Sequence, residues 1–270
     1  MKRINMIVNS IALGMVALFL ASPVFAQKST LAKAAALSLE SAINRSGQQR
    51  MLSQRVTKAY AQLLLNVTPD RSQITLQQSV KRFDENLNLL GEFVPNQPIM
   101  ETLAQLKTEW NPVAVLVSQA PTEARLKELV ALTDKVLETA QKLVSLYEAQ
   151  SRKVSANVIN ESGRQRMLSQ RIAKLYMLTQ TSFSNPKISN DLMVLRREFE
   201  LAHQRLKTNA LNDEKIKLDL ASIDGQWGVF QLAIDSKPDP VMRRNVAVTS
   251  ENILDIMQSV TAQYELRAAR

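Results

Sequence analysis

The chain of 270 residues has no cysteine, one histidine, six glycines and only 5% aromatic residues. Beyond its first 26 residues no apolar run is long enough to cross a membrane. Each scarcity removes a class of function. Without cysteine there is no disulfide framework, no thiolate metal site and no lipidated N-terminal Cys. The lone His203, beside Glu200 and Arg205, reads as a surface residue and assembles no metal set. The serines have no histidine or lysine partner at a telling spacing, there is no glycine-rich phosphate loop, and the scattered carboxylates form no pair. Catalytic residues, metal and cofactor are therefore all expected to be none. The few aromatics offer no stacking platform for bases, so the formal charge of +9 is not assigned to nucleic acid.

What the sequence does contain begins with a leader. Lys2 and Arg3 precede an apolar stretch from Ile11 to Ala21, and small residues close Ser22-Pro23-Val24-Phe25-Ala26, the pattern of a secretory signal peptide over residues 1–26. The mature chain is expected to start near Gln27 and to be periplasmic. Loss of Lys2 and Arg3 takes the charge from +9 to +7, since the leader holds no acid. That basic balance points to small anions or envelope surfaces.

Helix formers dominate the remainder. Apolar residues recur at helical spacing in Leu126, Leu129, Val130, Val136, Leu137, Leu143, Val144 and Tyr147, and no stretch alternates as a strand would. Breaks fall at Thr68-Pro69-Asp70, Pro95 to Pro98, Ala120-Pro121-Thr122, Asn185-Pro186, Asn212-Asp213 and Ser236 to Pro240. Asn185 and Asp239, each before a proline, read as N-caps. Eight helices follow, at 31–66, 71–94, 99–119, 122–150, 151–182, 187–210, 213–234 and 240–267.

The eight form two sets because the chain repeats itself. Ile43 to Tyr60 returns as Ile159 to Tyr176, with 13 of 18 positions identical at an offset of 116. Phe83 matches Phe199 at that offset, while Trp110 matches Trp227 and Tyr147 matches Tyr264 at 117, one residue having been inserted between. The fold class expected is all-α, two tandem up-down four-helix bundles, at 27–150 and 151–270. From Thr122 to Thr181 nothing punctuates the sequence. A shared helix of sixty residues, about 90 Å long, is therefore expected to stack the bundles end to end. Only a sharp fold at Ser151 to Ser155 would bring the two motifs together within one chain.

Within the motif, Ile43, Gly47, Arg50, Gln54 and Thr57 share one helical stripe, with Arg55 and Lys58 beside it. An interior glycine costs a helix about 1 kcal/mol, so Gly47 and Gly163 imply a compensating close approach. Helical side chains lean toward the N-terminus. Arg50 should lie across the bare turn at Gly47, where its planar fork of donors suits an oxyanion. Alternatively Gly47 serves close helix packing, Met51 and Leu52 fill the core, and the arginines are solvated. Repetition of identical polar residues in both copies weighs against packing as the sole reason.

The run Ser46-Gly-Gln-Gln-Arg-Met-Leu-Ser-Gln-Arg55 and its copy at 162–171 resemble the signature of the PilJ-type N-terminal domain, found in extracytoplasmic parts of type IV pilus chemotaxis transducers and NarX-like nitrate sensor kinases. The resemblance implies a stand-alone sensor or binding module for a small anion, nitrate or nitrite first, which relays to a membrane-bound receptor or kinase. It places the ligand at Gly47, Arg50, Met51 and Arg55 and at Gly163, Arg166, Met167 and Arg171. In the nitrate-sensing relatives, first helices pair across a dimer and share the anion. With Arg50 and Arg166 about 40 Å apart on a continuous helix, that mode requires a homodimer here. Glu161 stands in the second copy where Arg45 stands in the first, a departure from the cation of the nitrate sensors. The alternative is a structural or adaptor protein that docks on a chemoreceptor, pilus or other envelope component without a small ligand.

Overall fold

The computed structural model describes residues 37–151 and 153–268. The leader read at 1–26 lies outside the described residues, as does the start of the first predicted helix. Eight helices follow in order: α1 (Leu39–Leu64), α2 (Pro69–Gly91), α3 (Gln97–Val117), α4 (Glu123–Glu148), α5 (Val154–Leu178), α6 (Pro186–Lys207), α7 (Glu214–Asp235) and α8 (Pro240–Ala268). There is no strand among the described residues, and no helix among them is long and apolar enough to cross a membrane.

Local chemistry explains the boundaries. Asn185 Oδ1 accepts from the Ile188 N–H at 3.1 Å, and Asp239 Oδ1 accepts from the Met242 N–H at 2.8 Å, each just before a proline-started helix. Ser38, Asn96, Thr122 and Asp213 cap α1, α3, α4 and α7 in the same way.

Each repeat closes its own four-helix bundle, α1 against α2 and α4 with α3 on α4, then α5 against α6 and α8 with α7 on α8. The cores match in detail. Phe83 stacks on Trp110 with ring centroids 3.6 Å apart, and Phe199 on Trp227 at 4.2 Å. Trp110 Nε1 donates to Asp84 at 2.8 Å, as Trp227 Nε1 does to Glu200 at 3.3 Å. These indoles anchor the core while their N–H groups keep a partner at its edge.

The end-to-end arrangement is overturned. α4 stops at Glu148, the chain turns back through residues 149–153, and α5 begins at Val154. The turn needs neither glycine nor proline. Ala149 closes the last turn of α4 by donating to the Ser145 carbonyl, Ser151 Oγ accepts from the Lys153 N–H, and Lys153 stands extended as the cap residue of α5. Local propensity favoured a continuous helix, but the gain from burying α1 against α5 along their lengths outweighs the cost of one broken junction. The two bundles therefore lie side by side, with α1 and α5 as the most extensive helix pair in the fold.

These two helices run parallel. Lys153 at the start of α5 pairs with Glu40 at the start of α1 at 3.1 Å, and further along Lys58 Nζ donates to Gln170 Oε1 at 2.6 Å. Wrapped by α2, α4 and α5, helix α1 keeps only a narrow, partly exposed stripe at Arg45, Gln48 and Arg55, which is why Ser46, Gln49, Arg50, Ser53, Gln54, Thr57 and Lys58 are all fully buried. The motif is the seam between the repeats.

Candidate functional site

At the centre of the seam, Gly47 and Gly163 bring α1 and α5 close, and both arginines fold back across them. A Cβ added at Gly47 would lie 3.3 Å from Arg50 Nη2 and 3.7 Å from Arg166 Nη2. One at Gly163 would lie 3.0 Å from Arg166 Nη2 and 3.6 Å from Arg50 Nη2. Both guanidinium groups thus occupy one spot, and both side chains are fully buried. The 40 Å separation expected of a continuous helix, and with it the need for a second chain, is overturned by the turn at 149–153.

Each arginine reaches toward the N-terminus and crosses to the other repeat. Arg50 Nη1 donates to Gln141 Oε1 at 2.6 Å and Nη2 to Asn160 Oδ1 at 2.8 Å. Arg166 Nη1 donates to Gln258 Oε1 at 2.6 Å and Nη2 to Asn44 Oδ1 at 2.7 Å. Behind the asparagines stand carboxylates. Asn160 Nδ2 donates to Glu148 Oε2 at 2.6 Å, and Asn44 Nδ2 donates to Glu265 Oε2. The pattern obeys a local two-fold relation between repeats within one chain.

The electrostatics are unusual for a buried pair. Both arginines take only neutral amide and carbonyl oxygens as acceptors, and Nε of each is buried with no hydrogen-bond partner. Burial, and then the charge of Arg166, pulls the Arg50 guanidinium down to about 9, with Glu148 acting against the shift. Burial pulls Arg166 down to about 10, against the charge of Glu265. Like charges buried together, each with an unpaired Nε–H, are incompletely compensated. An anion between them would neutralise charge and accept the free N–H groups.

The other residues singled out by sequence lie elsewhere. Met51 and Arg55 line a polar groove of about 420 Å³ between α1, α2 and α8, which also touches Gln258, the residue that holds Arg166. Arg55 is engaged there through Nε and Nη2 with Glu251 and through Nη1 with Ser79 Oγ at 3.2 Å. Met167 is core, and Arg171 lines a separate cavity between α4, α5 and the start of α6. Arg45 donates to Asn86 and Glu161 pairs with Arg205, so the Arg-to-Glu departure between copies sits outside the arginine pair. His203 is buried rather than superficial, its Nε2 2.9 Å from Asp224 Oδ1, and burial lowers its basicity. Among the described residues no group of three His, Cys, Asp or Glu side chains could hold a metal ion.

Sequence reading missed the residues that hold the pair: Asn44 and Asn160, Gln141 and Gln258, Glu148 and Glu265. The signal was present. The asparagines repeat at offset 116, and the Gln and Glu pairs repeat at the offset of 117 that relates Tyr147 to Tyr264.

No curated protein and no solved structure matches the chain. A family model does, in two tandem segments, residues 32–151 and 147–250, which together take in all of α1 to α7 and the start of α8. The repeated motif, the two helical bundles and this double match agree, and the chain belongs to the family described as the type IV pili methyl-accepting chemotaxis transducer N-terminal domain.

Proposed function

We propose that the protein is a periplasmic anion sensor of this chemotaxis-related signalling family, with nitrate or nitrite as ligand, in which one chain supplies both halves of the site. The observation that carries the reading is the pair of buried guanidinium groups at Gly47 and Gly163, which has no carboxylate in contact and a free Nε–H on each side. A planar oxyanion matches the planar fork of each arginine. Because α1 and α5 carry one arginine each, an anion drawn between them would shift one bundle against the other, a displacement that a membrane-bound receptor or kinase could read.

Calorimetry of the mature protein with nitrate, nitrite, chloride and sulfate tests this. Saturable binding of one of the nitrogen oxyanions, lost in both Arg50→Ala and Arg166→Ala, is expected. Absence of saturable binding, or binding indifferent to both substitutions, refutes the reading.

A second reading, an adaptor that docks on an envelope partner, draws on the outer face of α7, where Leu218, Val229 and Leu232 are exposed. It predicts a co-purified envelope partner whose capture survives Arg50→Ala and Arg166→Ala.

A further inference from the structure

The two copies of the motif hold their second cationic pair differently. In the first, Arg55 and Lys58 both grip the Glu251 carboxylate, Ser79 Oγ accepts from Arg55 Nη1 at 3.2 Å, and Lys58 also donates to Gln170. At the matching positions of the second copy stand Arg171, Lys174, Asp134 and Leu195. Asp134 is one methylene shorter than Glu251; it reaches Lys174 at 2.9 Å but not Arg171. Leu195 offers no hydroxyl. The result is a deficit where the first repeat has a full set of bonds: Arg171 Nε is buried without a hydrogen-bond partner, and so is the Oε1 of Gln54, the counterpart of Gln170.

A cavity of about 260 Å³ lies against Arg171. Its wall is apolar, with Leu175, Leu178 and Phe183, while Lys127, Lys174 and Lys187 add positive charge. Asp134 and Asp191 offset two of these cations through their pairs with Lys174 and Lys187, which leaves Arg171 and Lys127 as the excess. Ligand pockets commonly begin near about 300 Å³, so this one suits a molecule of a few heavy atoms.

We propose that this cavity binds a small monocarboxylate, separately from the anion of the arginine pair. Its carboxylate takes up the free donors of Arg171, as the Glu251 side chain does those of Arg55, and a short apolar tail rests on Leu175, Leu178 and Phe183. The first motif, in effect, finds the ligand's functional group on α8 of the other repeat, whereas the second motif must take it from solution. The positive excess favours a carboxylate over a neutral molecule, and the apolar wall favours a hydrocarbon tail over a second charge.

Calorimetry of the purified protein with butyrate, using acetate and inorganic phosphate for comparison, tests the site. Butyrate should bind saturably at millimolar concentration and more tightly than acetate, because only its tail reaches the apolar wall. Arg171→Gln should weaken it by more than about tenfold, as loss of a charge-assisted contact implies. Asp134→Glu should abolish it by a different route, its longer carboxylate closing on Arg171, with no fall in the unfolding midpoint. No butyrate binding by the unmodified protein, binding undisturbed by Asp134→Glu, or tighter binding of phosphate than of butyrate would each overturn the proposal. Nitrate is titrated separately: a protein that binds butyrate through Arg171 and ignores nitrate would remove the reading of the Arg50–Arg166 pair and leave this one standing.

Discussion

Replacing Gly163 with alanine sets two effects of known sign against each other. In an ordinary helix interior the change gains about 1 kcal/mol. Here the new Cβ would lie 3.0 Å from Arg166 Nη2 and 3.6 Å from Arg50 Nη2. The guanidinium has to give way, yet it is fully buried and its Nη2 is committed to Asn44 Oδ1 at 2.7 Å. Loss of a hydrogen bond to a charged group costs about 1.5–3 kcal/mol. The balance is a destabilisation of about 0.5–2 kcal/mol, which at about 2–4 °C per kcal/mol for a chain of this size lowers the melting midpoint by a few degrees. At Gly47 the nearest approach is 3.3 Å, so Gly47→Ala should be closer to neutral. Gly225 and Gly228 provide the control, because a Cβ at either meets nothing within 4 Å. Alanine there should stabilise by about 1 kcal/mol. Thermal unfolding by circular dichroism, with nitrate calorimetry on the same proteins, reads out both effects. If Gly163→Ala raises the midpoint as much as Gly228→Ala does and leaves the anion response unchanged, neither close approach nor ligand binding explains the glycine.

Two further outcomes follow from the seam. Burial alone would raise the Glu251 carboxyl, but the charge of Lys58 and the hydrogen bond from Arg55 outweigh it and hold the group down to about 2, against an ordinary 4.5. A depressed carboxylate contributes stability that is complete above pH 4.5 and is lost as the pH falls toward about 2, here amounting to about 3 kcal/mol. Urea unfolding across that window should show the loss, and Glu251→Gln should flatten it; an equally steep acid limb in the variant would refute the assignment. Since both arginines belong to one chain, sedimentation should show no ligand-induced change of mass, with one nitrate per chain and an affinity that falls as salt is added. Nitrate binding that appears only with dimerisation would contradict the intramolecular site.

The helices were legible because their punctuation is chemical and local. Asn185 and Asp239 cap where a polar residue before proline predicts, and the duplicated aromatic pairs sit in equivalent cores. The turn at 149–153 was not, since it contains no residue that refuses a helix and is imposed by the packing of α1 on α5. The expected separation of Arg50 from Arg166, and with it the requirement for a second chain, rests on that junction alone. The arginines and glycines of the site could be named from repetition. Their amide partners lie on α4 and α8, outside the motif, and are found only by carrying the comparison on to the shifted offset. His203 shows the opposite limit. Its charged neighbours in sequence suggested the surface, whereas helical geometry turns it inward toward Phe199 and Asp224.

Fusing two copies into one chain changes what the site is free to do. In a symmetric dimer every substitution occurs twice, so each half of the interface must tolerate the same residue. Within one chain the halves can differ, and they do so selectively. The central layer is kept: glycine, arginine, asparagine, glutamine and the supporting glutamate recur in both repeats with nearly the same distances. One layer further along the helices the copies part, Glu251 closing on Arg55 and Lys58 while the shorter Asp134 reaches Lys174 alone. The outer positions part as well, Arg45 bonding to Asn86 and Glu161 to Arg205. The carboxylates whose charge opposes the burial of the two arginines, Glu148 and Glu265, are among the residues kept in both repeats. Symmetry survives in this chain where an anion between the arginines would need it, and lapses one layer away, where Glu251 and Asp134 answer the cations of the opposite repeat unequally.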